Sequence, residues 1–237
     1  SGNELSRPVT SPVDFNWESV YGLFLQGKEK IHERDYIVAE EKLRACLEKD
    51  PYYLPALTNM SMLLCRRMKY NDALEFAKKA LSIDTYNPAA NYYYGLINYK
   101  AGNIADAKDG FEIASMGIEY RSSSFSMLSM IYLKQGNFKR SVEYAWKSID
   151  YNRYAVNAYQ TLSVNYRMLN DREEANRVLD TLMVQDKLSH FARFEKYLWD
   201  STDDNKKYFT ELIKNEIHEE VYLELAIWYN NIGREKE

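Results

Sequence analysis

PAANYYYGLINYKAGNIADAKDGFEIASMGIEYR, residues 88–121, holds two amphipathic segments joined by Ala101-Gly102-Asn103. Gly102 suits the left-handed residue that ends a helix. Asn103 suits the N-cap of the next helix, with Asp106 three residues on to support it. The stretch therefore predicts a helix-turn-helix hairpin of 34 residues. A lone hairpin cannot bury its apolar face, so it needs neighbours to stack against.

Those neighbours are written at the same interval. Blocks of 34 residues begin at Val20, Leu54, Pro88, Ser122 and Val156, with no insertion between them. The eighth residue of each block is Gly27, Ser61, Gly95, Ser129 and Ser163; the twentieth is Ala39, Ala73, Ala107, Ser141 and Ala175. All ten are small, as they must be where two helices of a hairpin cross closely. A fixed period of this length marks a repeat array.

The blocks resemble the tetratricopeptide repeat, whose signature is W-x2-L-G-x2-Y, then A-x3-F, then P. The fourth block offers Phe125-x2-Leu128-Ser129-x2-Tyr132 and Ser141-x3-Ala145; the fifth offers Tyr159-x2-Leu162-Ser163-x2-Tyr166 and Ala175-x3-Leu179. The first keeps Gly27, Ala39, Leu43 and the closing Pro51. The Pro is missing from the other four blocks and the Trp from all five. The resemblance implies an all-α fold, a right-handed superhelical solenoid of paired helices. It implies far less about function, because such repeats serve many partners.

The order along the chain is a polar leader over 1–18 followed by an array over 19–237. Its repeats are 20–53, 54–87, 88–121, 122–155 and 156–189, an irregular unit 190–218, and a truncated one 219–237. In the leader, Pro8 and Pro12 forbid a continuous helix. Phe15 and Trp17 either fold back onto the first hairpin or form the stub of an upstream region, the stub being the favoured reading. The first hairpin should have helices near 19–33 and 36–49. The fourth turns at Gln135-Gly136-Asn137 and the fifth at Asn170-Asp171. After Ser189 the register slips: His190–Trp199 reads as a short helix, and Asp203-Asp204 start another. From Glu219 the pattern resumes, with Tyr222, Leu225, Ala226 and Tyr229 at the signature spacing and Gly233 at the turn. Leu223, Leu225, Ile227, Trp228 and Tyr229 crowd this last helix, where a terminal repeat normally carries a polar outer face. Together with the opening Ser1-Gly2 without Met, this reads as a piece cut from a longer protein. A signal peptide would be lost with the native start, so bacterial cytoplasm and periplasm suit the sequence equally.

The formal charge is −4, from 31 basic and 35 acidic residues, with no block of like charge. That argues against nucleic acid and anionic membrane surfaces as partners. No apolar run approaches a membrane span. His32, His190 and His218 are scattered, and Cys46 and Cys65 lack ligand spacing. Cys46 falls on a helix-contact position and reads as buried; Cys65 is expected to be partly exposed. No phosphate loop or nucleophile elbow occurs. Glu40-Glu41, Asp203-Asp204 and Glu219-Glu220 read as solvated helix starts and faces. The expectation is a chain without catalytic function, cofactor or metal.

The resemblance supplies the candidate workplace. In such repeats the first helix of each hairpin lines the concave surface through its positions 2, 5, 9, 12 and 13. That places Tyr21, Phe24 and Lys28, then Met62 and Arg66, then Tyr92, Leu96, Tyr99 and Lys100, then Met130 and Lys134, and finally Arg167 in a groove. Arg66, Lys100 and Lys134 recur at one position, with Arg167 beside the next, as a basic rail; Met62, Leu96, Met130 and Val164 form an apolar floor. Such a groove suits an extended or helical peptide with apolar anchors and acidic residues. Lysine at position 13 is also common in these repeats without any ligand. The chaperone-tail clamp of some relatives needs Lys and Asn where Phe24, Lys28, Thr58 and Met62 stand, so that ligand is excluded. The expected function is a protein-interaction scaffold whose partner is a peptide or another domain of the same chain. The alternatives are a helical accessory region of a larger carbohydrate-handling enzyme, similar to helical tails of large Bacteroidetes proteins, or a sensor-side repeat of a bacterial signalling protein.

Overall fold

The computed structural model describes residues 14–213, 217–234 and 236. Among them there are thirteen α-helices and no strand. Two compact units divide the chain, one up to Ile97 and one from Asn98. The first holds α1 (Val20–His32), α2 (Tyr36–Lys49), α3 (Leu54–Arg66), α4 (Tyr70–Ile83) and most of α5 (Pro88–Ala101). The second begins in the last turn of α5. It continues with α6 (Ile104–Ala114), α7 (Ile118–Lys134), α8 (Phe138–Tyr151), α9 (Val156–Met168) and α10 (Arg172–Gln185). Then follow α11 (His190–Trp199), α12 (Asp203–Ile213) and α13 (His218–Asn231). Pro8 and Pro12 lie outside the described residues.

The turn inside each hairpin obeys one rule. The fifteenth residue of every block has positive φ: Arg34 (63°), Met68 (58°), Gly102 (82°), Gly136 (73°) and Asn170 (57°), and Gly233 (72°) repeats it after α13. The next N–H reaches back five residues to close the turn, as from Asp35 to Lys30, Asn137 to Tyr132 and Arg234 to Tyr229, at 2.8–2.9 Å. This is the Schellman bond, which satisfies a carbonyl that the helix end would otherwise orphan. Arg34 and Met68 adopt the left-handed conformation without glycine's freedom, at a cost of about 1 kcal/mol each. Asp35, Asn137 and Asp171 then cap the second helices through their side chains. Asn103 does not: it stands at the N-cap, but its amide donates to Asn98 Oδ1 instead.

The link between hairpins obeys a second rule. At position 31 a short polar side chain accepts the N–H two residues on: Asp50 from Tyr52, Asp84 from Tyr86, Asn152 from Tyr154 and Asp186 from Leu188, at 2.9–3.1 Å. Such an Asx turn stops the helix and aims the chain into the next one. The third block has Ile118 there, after Gly117. Isoleucine cannot accept the bond, and glycine weakens the last turn of a helix. The break accordingly falls early. The helix expected to start at Ser122 starts four residues sooner, at Ile118, and α6 ends at Ala114, three residues short of its counterparts. The 34-residue interval survives because the longer α7 offsets the shorter α6 and a link one residue shorter.

All ten small positions are buried. In unit 1 a Cβ on Gly27 would stand 2.8 Å from Leu43 Cγ, so the α1–α2 crossing leaves no room for one. In unit 2 the Ser141 hydroxyl donates to the Ser129 carbonyl at 2.7 Å, and Asn165 of α9 donates to Ser141, stitching three helices through a buried polar chain. Leu23, Leu43, Met60, Leu64 and Ile97 build the unit 1 core. Cys46 is sealed in that core, where burial pushes its thiol up to about 11. Cys65 is buried as well, against the expectation of partial exposure, because it packs among the same residues.

Residues 14–18 turn back onto α1. Gln26 donates to the Trp17 carbonyl and Lys49 to that of Glu18. Gly22 is what lets the segment lie there: a Cβ would come within 2.6 Å of the Asn16 and Trp17 carbonyl oxygens. Phe15 and Trp17 thus take the fold-back arrangement.

Candidate functional site

The twelve groove residues expected from the sequence fall into two sets with different fates. In unit 1, α1 presents Tyr21 and Lys28 to solvent, while Phe24 is buried edge-on against Tyr53 at 5.5 Å. On α3, Met62 is half-buried and Arg66 exposed; on α5, Tyr92 and Leu96 are half-buried. The ninth positions Lys28, Met62 and Leu96 therefore form a graded row, a cation followed by two partly open apolar side chains. Arg66 makes no ion pair among the described residues. Its neighbour Arg67 is committed: it pairs with Glu40, which Arg44 contacts at 2.7 Å and Lys69 at 4.0 Å. Burial pushes the Glu40 carboxyl up, but the three cations win and hold it below its ordinary value.

In unit 2 the ninth positions are covered: Met130 is 7 % exposed and Val164 not at all. Tyr99, at the twelfth position, is 8 % exposed, as buried as Ile31 and Cys65 at that position in unit 1. The end of α13 and the turn after it approach α5 and α7. The Tyr99 phenol, its pKa raised by burial, donates to the Asn231 carbonyl at 2.7 Å. The Lys134 stem lies beside Gly233, where a Cβ would meet its Cγ at 3.4 Å. Met130, Leu133, Val164, Tyr229 and Ile232 belong to one apolar core. Arg167, expected in the basic rail, makes a bidentate pair with Glu195 of α11 at 2.9 and 3.2 Å. Glu195 is fully buried and also takes the Tyr229 hydroxyl at 2.5 Å. The carboxylate holds Arg167 and Tyr229 together, so neither charge nor phenol is offered to a ligand. Lys100 and Lys134 keep exposed ammonium groups.

Sequence reasoning passed over Glu195, the lone acid of HFARFEKYLW; Tyr229 follows it by 34 residues, but nothing local marks the two as a contact. The crowding of α13 has a partial structural reason. Val221, Leu225, Tyr229 and Ile232 are buried within unit 2, whereas Tyr222, Leu223 and Ile227 stay exposed. Among the described residues no group of three or more His, Cys, Asp and Glu is placed to hold a metal. No helix of the described residues is long and apolar enough to cross a membrane.

No family model matches the chain. A TPR repeat-containing protein of Methanocaldococcus jannaschii, MJ1428, is 30 % identical over 128 residues, 54 % of this chain. The match spans 22 % of that relative's length. Among solved structures, pilF of Pseudomonas aeruginosa superposes with a TM-score of 0.72 at 18 % identity, over 92 % of this chain and 96 % of its own. YrrB, described as a TPR protein with an unusual peptide-binding site, superposes with a TM-score of 0.60 at 17 % identity, over 76 % of this chain and 93 % of its own. The tetratricopeptide resemblance and the all-α solenoid class read from the sequence are both borne out.

Proposed function

We propose, for a chain whose repeats are of the tetratricopeptide type, that it is a protein-interaction module whose unit 1 inner face takes a peptide with apolar anchors and acidic residues. The observation that carries this reading is the row Lys28, Met62 and Leu96 together with Arg66, which is exposed and makes no ion pair among the described residues. Partly open apolar side chains offer burial to an anchor, and methionine adapts its shape to what arrives. Arg66 offers a fixed fork to a carboxylate. Structural likeness to YrrB lends support, since that protein is described as having a peptide-binding site.

The test is fluorescence anisotropy with a panel of labelled ten-residue peptides that pair Leu or Phe anchors with Asp and Glu. The peptide bound most tightly should lose at least tenfold in affinity, about 1.4 kcal/mol, with Arg66→Glu and again with Met62→Lys. Lys134→Glu should change it less than twofold. Equal losses at Arg66 and Lys134, or none at either, would overturn the assignment to unit 1.

A further inference from the structure

One face of a first helix meets the hairpin before it. In α9 the third, sixth and tenth positions, Ala158, Thr161 and Asn165, are fully buried, and Asn165 donates to Ser141 of α8 at 2.7 Å. Counted from Glu219, α13 places Val221, Glu224 and Trp228 at those positions. Val221 is buried, but Glu224 is exposed and Trp228 only half-buried. What intervenes is the irregular unit, whose α11 runs for 10 residues against 13 in α9. It leaves a cleft of about 280 Å³ inside unit 2, bounded by α9, the link over 186–189, the start of α11 and the inner face of α13.

Two polar atoms of the lining lack partners: Gln160 Oε1 and Trp228 Nε1 are shielded from solvent and make no hydrogen bond among the described residues. Phe191, Leu225 and the Trp228 ring, 4.6 Å from that of Phe191, give the cleft an apolar and aromatic wall. Asp186 and Glu224 line it as exposed carboxylates without an ion pair among the described residues, and no Lys or Arg is among the lining residues. We infer that the cleft takes an arginine side chain. A guanidinium brings N–H donors for the Gln160 amide oxygen and for both carboxylates, and its planar face suits an aromatic wall. The carbonyl of the same arginine is an acceptor for the Trp228 indole N–H. The last torsions of Gln160 and Trp228 are soft enough to turn both groups toward an occupant. The size agrees: 280 Å³ lies below the roughly 300 Å³ at which pockets for drug-sized ligands begin, so one side chain is the right scale. This inference stands on unit 2 and is independent of peptide binding by unit 1.

The probe is a capped tripeptide with arginine between two alanines, titrated into the full chain labelled with fluorinated tryptophan. The Trp228 resonance, assigned with Trp228→Phe, should shift saturably. The same tripeptide with citrulline, equal in shape but uncharged, should bind about tenfold more weakly. Glu224→Gln, a change at an exposed position, should weaken the arginine peptide about threefold. Gln160→Leu should weaken it about fivefold without lowering the melting temperature, because the amide oxygen it removes has no partner in the free protein. Free L-arginine separates the two sources of this chemistry: tighter binding than the tripeptide assigns the cleft to the free amino acid, weaker binding to a residue of a peptide. No saturable shift would mean that water alone satisfies Gln160 and Trp228, and would overturn the inference. So would equal binding of the citrulline peptide, or a Gln160→Leu variant that loses stability and keeps its affinity.

Discussion

In unit 1 the side chains of Lys28, Met62 and Leu96 reach solvent, while in unit 2 Met130 and Val164, at the same repeat position, are buried in a core that also holds Tyr229 and Ile232. The two sets share a register and a helix geometry. What separates them lies outside those helices: Glu195 ties Arg167 to Tyr229, and the Asn231 carbonyl takes the Tyr99 phenol. A repeat therefore decides which positions point inward, but not whether they remain open. That second property depends on residues as many as 132 positions away.

The largest way to break this contrast is Glu195→Ala. It leaves the Arg167 side chain, only 13 % exposed, without the Glu195 carboxylate, and the Tyr229 hydroxyl without that acceptor. Removing one partner of a buried pair costs about 3 kcal/mol. Hydrogen exchange should show α11 and α13 losing protection while α1–α4 keep theirs. Equal loss in α1–α4 would show that the two units do not respond separately. The double change Arg167→Met with Glu195→Leu should recover most of the stability, because it leaves no buried charge.

Gly22→Ala probes the other unit. The added methyl meets backbone oxygens at 2.6 Å rather than the tip of a flexible side chain, so the 14–18 segment must lift from α1. Overpacking of this kind costs about 2 kcal/mol. With fluorinated tryptophan, the Trp17 resonance should move toward its solvent value, while Trp146, Trp199 and Trp228 stay in place. Movement of the latter three would carry the effect out of unit 1.

The hairpins were legible in the sequence because small residues recur at positions 8 and 20, and because the later turns are written locally, with Gly102, Gly136 or Asn170 at position 15 and Asn137 or Asp171 as caps; Arg34, Met68 and Lys69 carry no such signal. The helices at His190–Trp199 and Asp203–Ile213 were legible for the same reason, since their caps sit in the sequence. The covered state of Tyr99, Met130 and Arg167 was not legible, because its cause is a tertiary contact with no local signature. Read by position alone, Arg167 looks like a rail cation; only its distance to Glu195 shows it as a structural brace. The groove reading thus mapped the inward positions but could not tell an open face from one the chain closes on itself.

The smallest effect concerns the one link that breaks the pattern. Ile118, 79 % exposed, stands where Asp50, Asp84, Asn152 and Asp186 make Asx turns. Gly117 precedes it, where the other blocks place Lys49, Ile83, Tyr151 and Gln185 inside a helix. The existing break has its own support, since Arg121 donates to the Ser115 and Met116 carbonyls at 2.8 Å and satisfies the end of α6. Ile118→Asp alone offers the missing acceptor but still asks Gly117 to join a helix, at about 1 kcal/mol relative to alanine. The two arrangements should then lie close in energy. Adding Gly117→Ala removes that cost, so the double variant should extend α6 to residue 117 and restart the next helix near Ser122, with a stability gain of about 0.5 kcal/mol. Cα chemical shifts of residues 115–121 read the outcome directly. If residues 119–121 remain helical in the double variant, the Arg121 contacts rather than the missing Asx side chain hold the break where it is.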